Sequence, residues 1–590
     1  MTITLTGHEQ RKRRSNGSSS DEGNLTSDGY VSEDLRVGDM DICALPVQSI
    51  RIPRVNHPHS RLSTPGNPVQ RAIQGILASH NIAYRSIEFV GRRSKWDPHS
   101  QPKTTALVFA RRNNIDNTWL QACRQIRTYL IQQGLPEVSI EIADPRAFTP
   151  ANMSPILNTD AIHGKWPSVR EAIMKNINLR DVLVVGCYRQ LEDDTSTPTV
   201  VILVKNTSTR IWKHTREVVI GILTDFNLPG VAVDISKDVI RRAGHWEGDF
   251  DERSIQEPVR PGESLGMNSD HRLAGTFGGY VEVKSPTSGK WRTFGLTCFH
   301  CVIPTRDKTP QEIKTVCEYW RQNGIPVFDK QAEKELRLHS PSLTDLDAKV
   351  RRLEKNIGEL LDCNAYMSGT EMEAGGLLEM PRSQRHAFLA TKKQISDASD
   401  LYRKIGEFRD KAQYQFGFVA AGSGLREKRV KSIPNNNLLT NADWALIEVP
   451  QHRLGSNKVS NLPSTIDHQC ALWSSTIHRP VTEQTTLHIH GSSGHSTGRY
   501  NDLAPAFVTE KVVNGEIVTV ETVEHSALGV GDQRFSREGD SGALVHLVGG
   551  LVIGMVFAGS DTRNLIFFTD IRDVFDDIKA RVGATDIRLS

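Results

Sequence analysis

Cysteine is scarce in this sequence, eight in 590 residues, and the eight are scattered along it. That pattern excludes the disulfide-dense secreted scaffolds, whose cores are too small to hold without cross-links. Long apolar runs are missing as well. No stretch of about 18 apolar residues occurs, so no transmembrane helix is expected, and the opening MTITLTGHEQRKRR has no apolar segment that would make it a secretory signal. A large charge of either sign is also lacking: the formal net charge is +3, which gives no electrostatic reason to expect a nucleic-acid or membrane partner. These absences point to a cytoplasmic protein that is not secreted. The run Arg11-Lys12-Arg13-Arg14 is a candidate nuclear import signal, although four basic residues in a polar tail are more often simply solvated.

What is present is enough apolar residue, 38% of the chain, to build two or three cores. Residues 1–45 are polar and poor in aromatics and read as a disordered tail. Residues 46–243 then repeat themselves, with copies at about 65–145 and 165–240. Trp119 matches Trp212 and Leu135-Pro136 matches Leu228-Pro229, both at an offset of 93, with no break in register between them. Each copy shows a helical pattern, two strand-like runs, a second helix and an alternating strand. In the first copy Trp119, Cys123, Ile126, Leu130 and Ile131 fall at helical spacing. The expected unit is α-β-β-α-β, close to a ferredoxin-like arrangement, and its two tryptophans read as core anchors. No phosphate-cradling loop or metal-spaced cluster appears in it.

The stretch with chemical character is Gly539-Asp540-Ser541-Gly542, followed by the strand-like VHLVGGLVIGMVFAGS. Glycines on both sides of a serine allow a tight turn whose amides point at one spot, so Ser541 is the candidate nucleophile. A serine hydroxyl needs a base and a group to orient that base. His300 follows the β-prone run WRTFGLTCF, and Asp443 precedes the apolar run Trp444-Ala445-Leu446-Ile447. Each stands at a strand edge.

In the order His, Asp, Ser, the segments LTCFHCV, DWALIEV and GDSGALV resemble the chymotrypsin-like serine peptidases. The hairpin-like HIHGSSGHSTGRY and the closing FFTDIRDVFDDIKARVG are similar to the second barrel and last helix of that family. The layout as a whole is similar to intracellular fungal-type members with an N-terminal prodomain or regulatory region. The resemblance implies an all-β double-barrel domain over 273–590, with His300 as general base and acid, Asp443 as its orienter and Ser541 as nucleophile. It implies Gly539 and Ser541 amides as the oxyanion hole, and a substrate pocket of Phe535, Phe557, Gly559 and Ile566. With no carboxylate in that set, an apolar or small residue before the scissile bond is favoured over Lys or Arg. No cofactor is implied.

Two features depart from the family. Secreted members tie the cysteine after the histidine to an earlier strand, but no cysteine lies between Cys187 and Cys298, so Cys301 is expected as a free thiol. The pair Cys298 and Cys301 brackets the histidine and has no second pair at zinc spacing, so no metal is expected. The segment from His300 to Asp443 is also long. A helical insertion over 305–430 is expected to fill it, with Leu343, Leu346, Val350, Leu353, Ile357 and Leu360 alternating as a coiled-coil seam. A second helix, roughly Ser383 to Gln415, returns antiparallel after a break at MSGTEMEAGG. An ordinary hairpin is favoured over an arm that binds a partner or a second copy.

The fold class expected is therefore multidomain: a duplicated α+β module, a linker over 244–272, and a double-barrel domain with an inserted helical hairpin. The expected function is an intracellular serine endopeptidase acting on peptide bonds through an acyl-enzyme, regulated or autoprocessed through its N-terminal region. A version in which the duplicated module and helical hairpin form an assembly or sensing scaffold, with the protease acting only on its own chain, would be favoured by autocleavage in the 244–272 linker. A catalytically silent protease-fold scaffold is the alternative.

Overall fold

The computed structural model describes residues 26–590 except 27, 34, 44, 54–56, 98, 115, 149–151, 193–194, 209, 211, 243–251, 256–257, 269, 271–273, 374–380, 434–437, 461–468, 475–480, 514–515 and 532–533. The chain divides into two compact units. The first holds residues up to Val239 together with Leu503–Glu521 and Ser560–Arg563, and the second holds the remainder. No described helix is long and apolar enough to cross a membrane.

In the first unit each sequence copy folds as helix, two strands, helix, strand. The first copy runs Pro68–Ser79, Tyr84–Ser94, Lys103–Ala110, Thr118–Gln132 and Ser139–Ala143. Its first helix starts where Asn67 accepts the Gln70 N–H, with Pro68 pre-set in the first turn. Trp119, Cys123, Ile126 and Leu130 enter the core as their spacing requires, whereas Ile131 stays half exposed. The second copy runs Trp166–Asn176, Val182–Glu192, Thr195–Lys205, Lys213–Asp225 and Ala232–Asp238. Trp119 and Trp212 are both buried, each beneath an arginine guanidinium, that of Arg112 and that of Arg210. Gly134 and Asn227, 93 positions apart, both take positive φ (69° and 55°) just past the second helix of their copy.

The ferredoxin-like expectation is corrected in strand order. Lys103–Ala110 and Ser139–Ala143 are direct parallel neighbours, as are Thr195–Lys205 and Ala232–Asp238. A ferredoxin-like split unit would set an antiparallel strand between them. The extra strands instead add at the edges. Arg36–Gly38 pairs outside Ser139–Ala143, pulled in by a buried ion cluster in which Arg36 and Arg92 both hold Glu141, at 2.7 and 2.9 Å. Residues expected in the polar tail are thus strand, while 1–25 lie outside the described residues.

The second copy's sheet recruits a distant hairpin, Ala506–Val513 and Glu516–Val523, which follows Val182–Glu192 in the strand order. Leu503, Ala506 and Val508 join that copy's core. Assignment of all of 273–590 to one domain is corrected on this point.

The second unit contains a closed six-stranded antiparallel barrel and an eight-stranded sheet. The barrel runs Val552–Ser560, Leu544–His546, Thr486–Gly491, Gly494–Asn501, His525–Gly529 and Leu565–Asp570, and closes by pairing of the first and last. Leu487, Ile489, Ala527, Val545, Val556 and Phe568 fill it, as alternation along the strands directs. The eight-stranded sheet includes Ser264–Met267, in the segment expected as linker, because Leu265 and Met267 are fully buried there.

The expected insertion carries helices Lys314–Asn323, Lys330–Glu335, Leu343–Leu361, Asn364–Glu373 and Arg382–Asp410, but also the strands Arg337–His339, Gln415–Gly422 and Arg426–Arg429. Ser342 caps the helix Leu343–Leu361 through the Asp345 N–H. The seam residues Leu343, Leu346, Val350, Leu353 and Ile357 meet Ala398, Leu401, Ile405 and Phe408 within the chain. The long return helix stops at Asp410 rather than near Gln415, since Ala412 turns to φ 49° and the next residues enter the sheet. The expected break at 367–376 is helical as far as Glu373.

Candidate active site

Two neighbouring strands bring His300 and Asp443 together. Trp291–Thr297 and Ala445–Glu448 pair antiparallel, and the ladder ends at Thr297 opposite Ala445. His300 lies just past one end, in the short turn Phe299–Cys301, and Asp443 just before the other. One Asp443 oxygen lies 2.6 Å from His300 Nδ1, and the other accepts the His300 backbone N–H at 3.0 Å. Both carboxylate oxygens are engaged by one residue, and both side chains are buried. The imidazole therefore has a fixed plane.

Ser541 sits in a turn whose glycines have geometric reasons. Gly539 and Gly542 have φ of 93° and 97°, and a Cβ on Gly542 would lie 2.3 Å from the Thr276 carbonyl oxygen. The turn is pinned on three sides. Thr276 N–H donates to the Ser541 carbonyl and Thr276 Oγ1 donates to the Gly539 carbonyl, both at 2.8 Å, while Gly542 N–H donates to Val556. Asp540 points inward. Its carboxylate accepts from the Ser493 N–H and hydroxyl and from the Arg537 N–H, at 3.0, 2.7 and 2.7 Å. No described protein acceptor takes the Gly539 or Ser541 N–H.

Ser541 and His300 converge on one atom. The Ser541 hydroxyl donates to the Arg242 carbonyl oxygen, and His300 Nε2 is in hydrogen-bond contact with that same oxygen. Ser541 Oγ also lies 3.4 Å from the Phe557 carbonyl. Arg242 belongs to the same unit, immediately after strand Ile240–Arg241, which adds to the outer side of Val552–Ser560. With Asp443 accepting at Nδ1 and a carbonyl at Nε2, the protonated imidazole has an acceptor at each nitrogen.

The electrostatics follow from this packing. Burial alone would lower the His300 pKa, but the Asp443 carboxylate raises it above the ordinary imidazole range. Burial would raise Asp443, and the adjacent His300 outweighs it and holds that carboxyl low, aided by the Arg242 charge. Asp540 is pushed up by burial despite its three hydrogen bonds. Cys298, His300 and Asp443 offer atoms close enough for one ion. The donor set does not fit a cation: both Asp443 oxygens are taken by His300, and Cys298, held as a neutral thiol by burial, donates to the Val556 carbonyl at 3.2 Å.

Of the expected pocket residues, Phe557 is next to the site, its ring centroid 5.9 Å from the Arg242 guanidinium. Gly559 is partly exposed, opposite Ile566 in the ladder. Phe535 and Ile566 are buried in the barrel's apolar cluster, where the Phe535 ring covers Gly498 so closely that a Cβ there would lie 2.4 Å from it.

No known family profile matches this chain. No curated protein matches it either. Among solved structures it is similar to the crystal structure of the Rv3671c protease from M. tuberculosis in its active form, at 16% identity over 29% of this chain and 66% of that one, with a TM-score of 0.18. It is also similar to the inactive form of the Rv3671c protease, at 17% identity over 29% and 77% of the two chains, with a TM-score of 0.17. The chain thus spans just under two thirds of the active-form structure's length.

Sequence reasoning missed two contributors. Thr276, which holds both the Gly539 and Ser541 carbonyls, sits in an unremarked three-residue strand, Ala274–Thr276. Arg242 carries no motif at all, and only a search for strand-forming residues beside a dibasic pair would have marked it.

Proposed function

We propose that this chain is a serine endopeptidase of the chymotrypsin-like kind, acting on protein or peptide substrates. The observation that carries the reading is the meeting of Ser541 Oγ and His300 Nε2 on one carbonyl oxygen, with Asp443 behind the imidazole at 2.6 Å. In this reading Ser541 attacks a peptide carbonyl carbon, and His300 takes the hydroxyl proton at Nε2 while Asp443 keeps Nδ1 protonated and stabilises the cation. The Gly539 and Ser541 N–H groups receive the developing oxyanion. His300 then returns the proton to the leaving amine, and water releases the acyl group from Ser541.

Phe557 and Gly559 border the substrate in this proposal, with Phe535 and Ile566 forming the apolar floor beneath. An intracellular setting belongs to it as well, supported by the seven cysteines with described side chains, all free thiols. The test is a fluorophosphonate probe on the full chain. Label on Ser541, lost in Ser541→Ala and kept in a control at the exposed Ser79, Ser79→Ala, is expected. Stoichiometric peptide binding with no label and no turnover would instead favour the silent scaffold.

A further inference from the structure

The chain lays one of its own peptide carbonyls on the proposed nucleophile and base. Ile240–Arg241 forms a short strand against Val552–Ser560, and the next carbonyl, that of Arg242, meets both Ser541 Oγ and His300 Nε2. An extended peptide held as an added strand beside a nucleophile is how sheet-edge recognition presents a backbone. Two side chains fix the register. Arg241 pairs with Glu538 at 2.8 Å, three residues before Ser541, and the Arg242 guanidinium lies over the Phe557 ring.

We infer that the Arg242–Ala243 peptide bond is this enzyme's own substrate, cut in cis by Ser541. The inference rests on the serine-peptidase reading above. It places the cut at the bond whose carbonyl is at the site, ahead of the 244–272 linker. The carbonyl oxygen first turns from Oγ and Nε2 toward the Gly539 and Ser541 amides, which brings the Arg242 carbon to Oγ and leaves Nε2 free. Deprotonated His300 accepts the Oγ proton as the Oγ–C bond forms. The C–N bond to Ala243 then breaks, and His300 passes the proton to the departing amine. Water, its proton taken by His300, hydrolyses the Arg242 ester, leaving Arg242 with a carboxylate and Ala243 with a free amine.

An acidic pocket is not needed for this arginine. Strand pairing and the covalent tether supply the positioning that a side-chain pocket supplies to a separate substrate. Nor does the cut serve to deliver a new terminus to Asp540, whose carboxylate is already filled by Ser493 and Arg537.

The experiment uses the full chain as wild type, Ser541→Ala and Arg241→Glu, incubated after purification and followed by intact mass and N-terminal sequencing, with fluorophosphonate labelling of the same samples. Expected are fragments 1–242 and 243–590 from the wild type, at a fractional rate independent of protein concentration. Ser541→Ala is expected to stay whole, and Arg241→Glu, which sets a carboxylate against Glu538 where an ion pair held the register, to lose the cut while still labelling on Ser541. A wild-type chain that stays whole or is cut elsewhere, yet labels on Ser541, overturns this inference and leaves the peptidase reading standing. Absence of both cut and label in every sample overturns both. A fractional rate that rises with concentration, or a cut that persists in Ser541→Ala, overturns cleavage in cis.

Discussion

The Cα of Gly542 faces the carbonyl oxygen of Thr276 so closely that a methyl group would lie 2.3 Å from it, at a φ of 97°. The neighbour is backbone from a strand, so it cannot swing away as a side chain would. Gly542→Ala is therefore expected to destabilise the second unit by about 1–3 kcal/mol and to displace Ser541. Urea unfolding combined with the fluorophosphonate labelling rate checks it, and a variant with unchanged midpoint and rate would show that the turn is free to relax.

Asp443 spends both oxygens on His300, one on the ring and one on the backbone. Asp443→Asn keeps the shape but presents an amide where the ring needs an acceptor. Labelling of Ser541 is expected to slow by on the order of 10⁴-fold, the scale for the same aspartate-to-asparagine change in a serine-protease triad, with little change in the far-ultraviolet spectrum. A loss below tenfold would remove Asp443 from the proposed machinery.

The raised His300 pKa fixes the sign of the pH dependence. A protonated imidazole cannot take the Ser541 proton, so both labelling and the cut after Arg242 are expected to quicken with rising pH. The midpoint should lie above the ordinary imidazole value of about 6.5. The same shift stabilises the folded state fully below that ordinary value, and the contribution is lost as pH rises through the folded one. In Asp443→Asn the midpoint moves down. A rate profile with its midpoint at or below the ordinary value contradicts the assignment.

A second titration lies in the strands of the barrel. His488, His490, His495 and His546 pack ring on ring, with centroids 4.8–5.6 Å apart. Burial holds all four below the usual imidazole range, His490 at about 2 and His495 and His546 at about 4. The unfolded chain binds protons at these sites first, so their contribution is present above about 6.5 and is lost as pH falls toward 4. Thermal unfolding scanned across that window is expected to show a falling Tm, with a shallower slope in His490→Leu. Equal slopes in the two proteins would mean that other groups set the acid limit.

How much of this was legible in the sequence depends on the range of the interaction. His300 and Asp443 stand where apolar strands end and begin, and the Thr297–Ala445 register converts those positions into proximity, while Ser541 was marked by the glycines on either side of it. The helical seam was readable too, since Leu346 and Leu353 recur at a local period that Leu401 and Ile405 satisfy from the next helix. Strand order was not. Whether Ser139–Ala143 pairs directly with Lys103–Ala110 depends on partners far apart in the chain, and alternation alone is silent about them. Arg36 read as part of a polar tail because its partner Glu141 is 105 residues away. Arg242 has no local signature, since what it offers the site is a backbone oxygen.

The strands at 506–523 impose a limit on how this protein can be dissected. Ala506 and Phe507 pair with Val185 and Val184, and Leu503, Ala506 and Val508 lie in the second copy's core. A shortened protein starting at residue 240 would leave this hairpin with a bare edge and its apolar side wet, an invitation to clump. For the same reason, the two pieces left by a nick after Arg242 would stay clasped through native buffer and part only in denaturant.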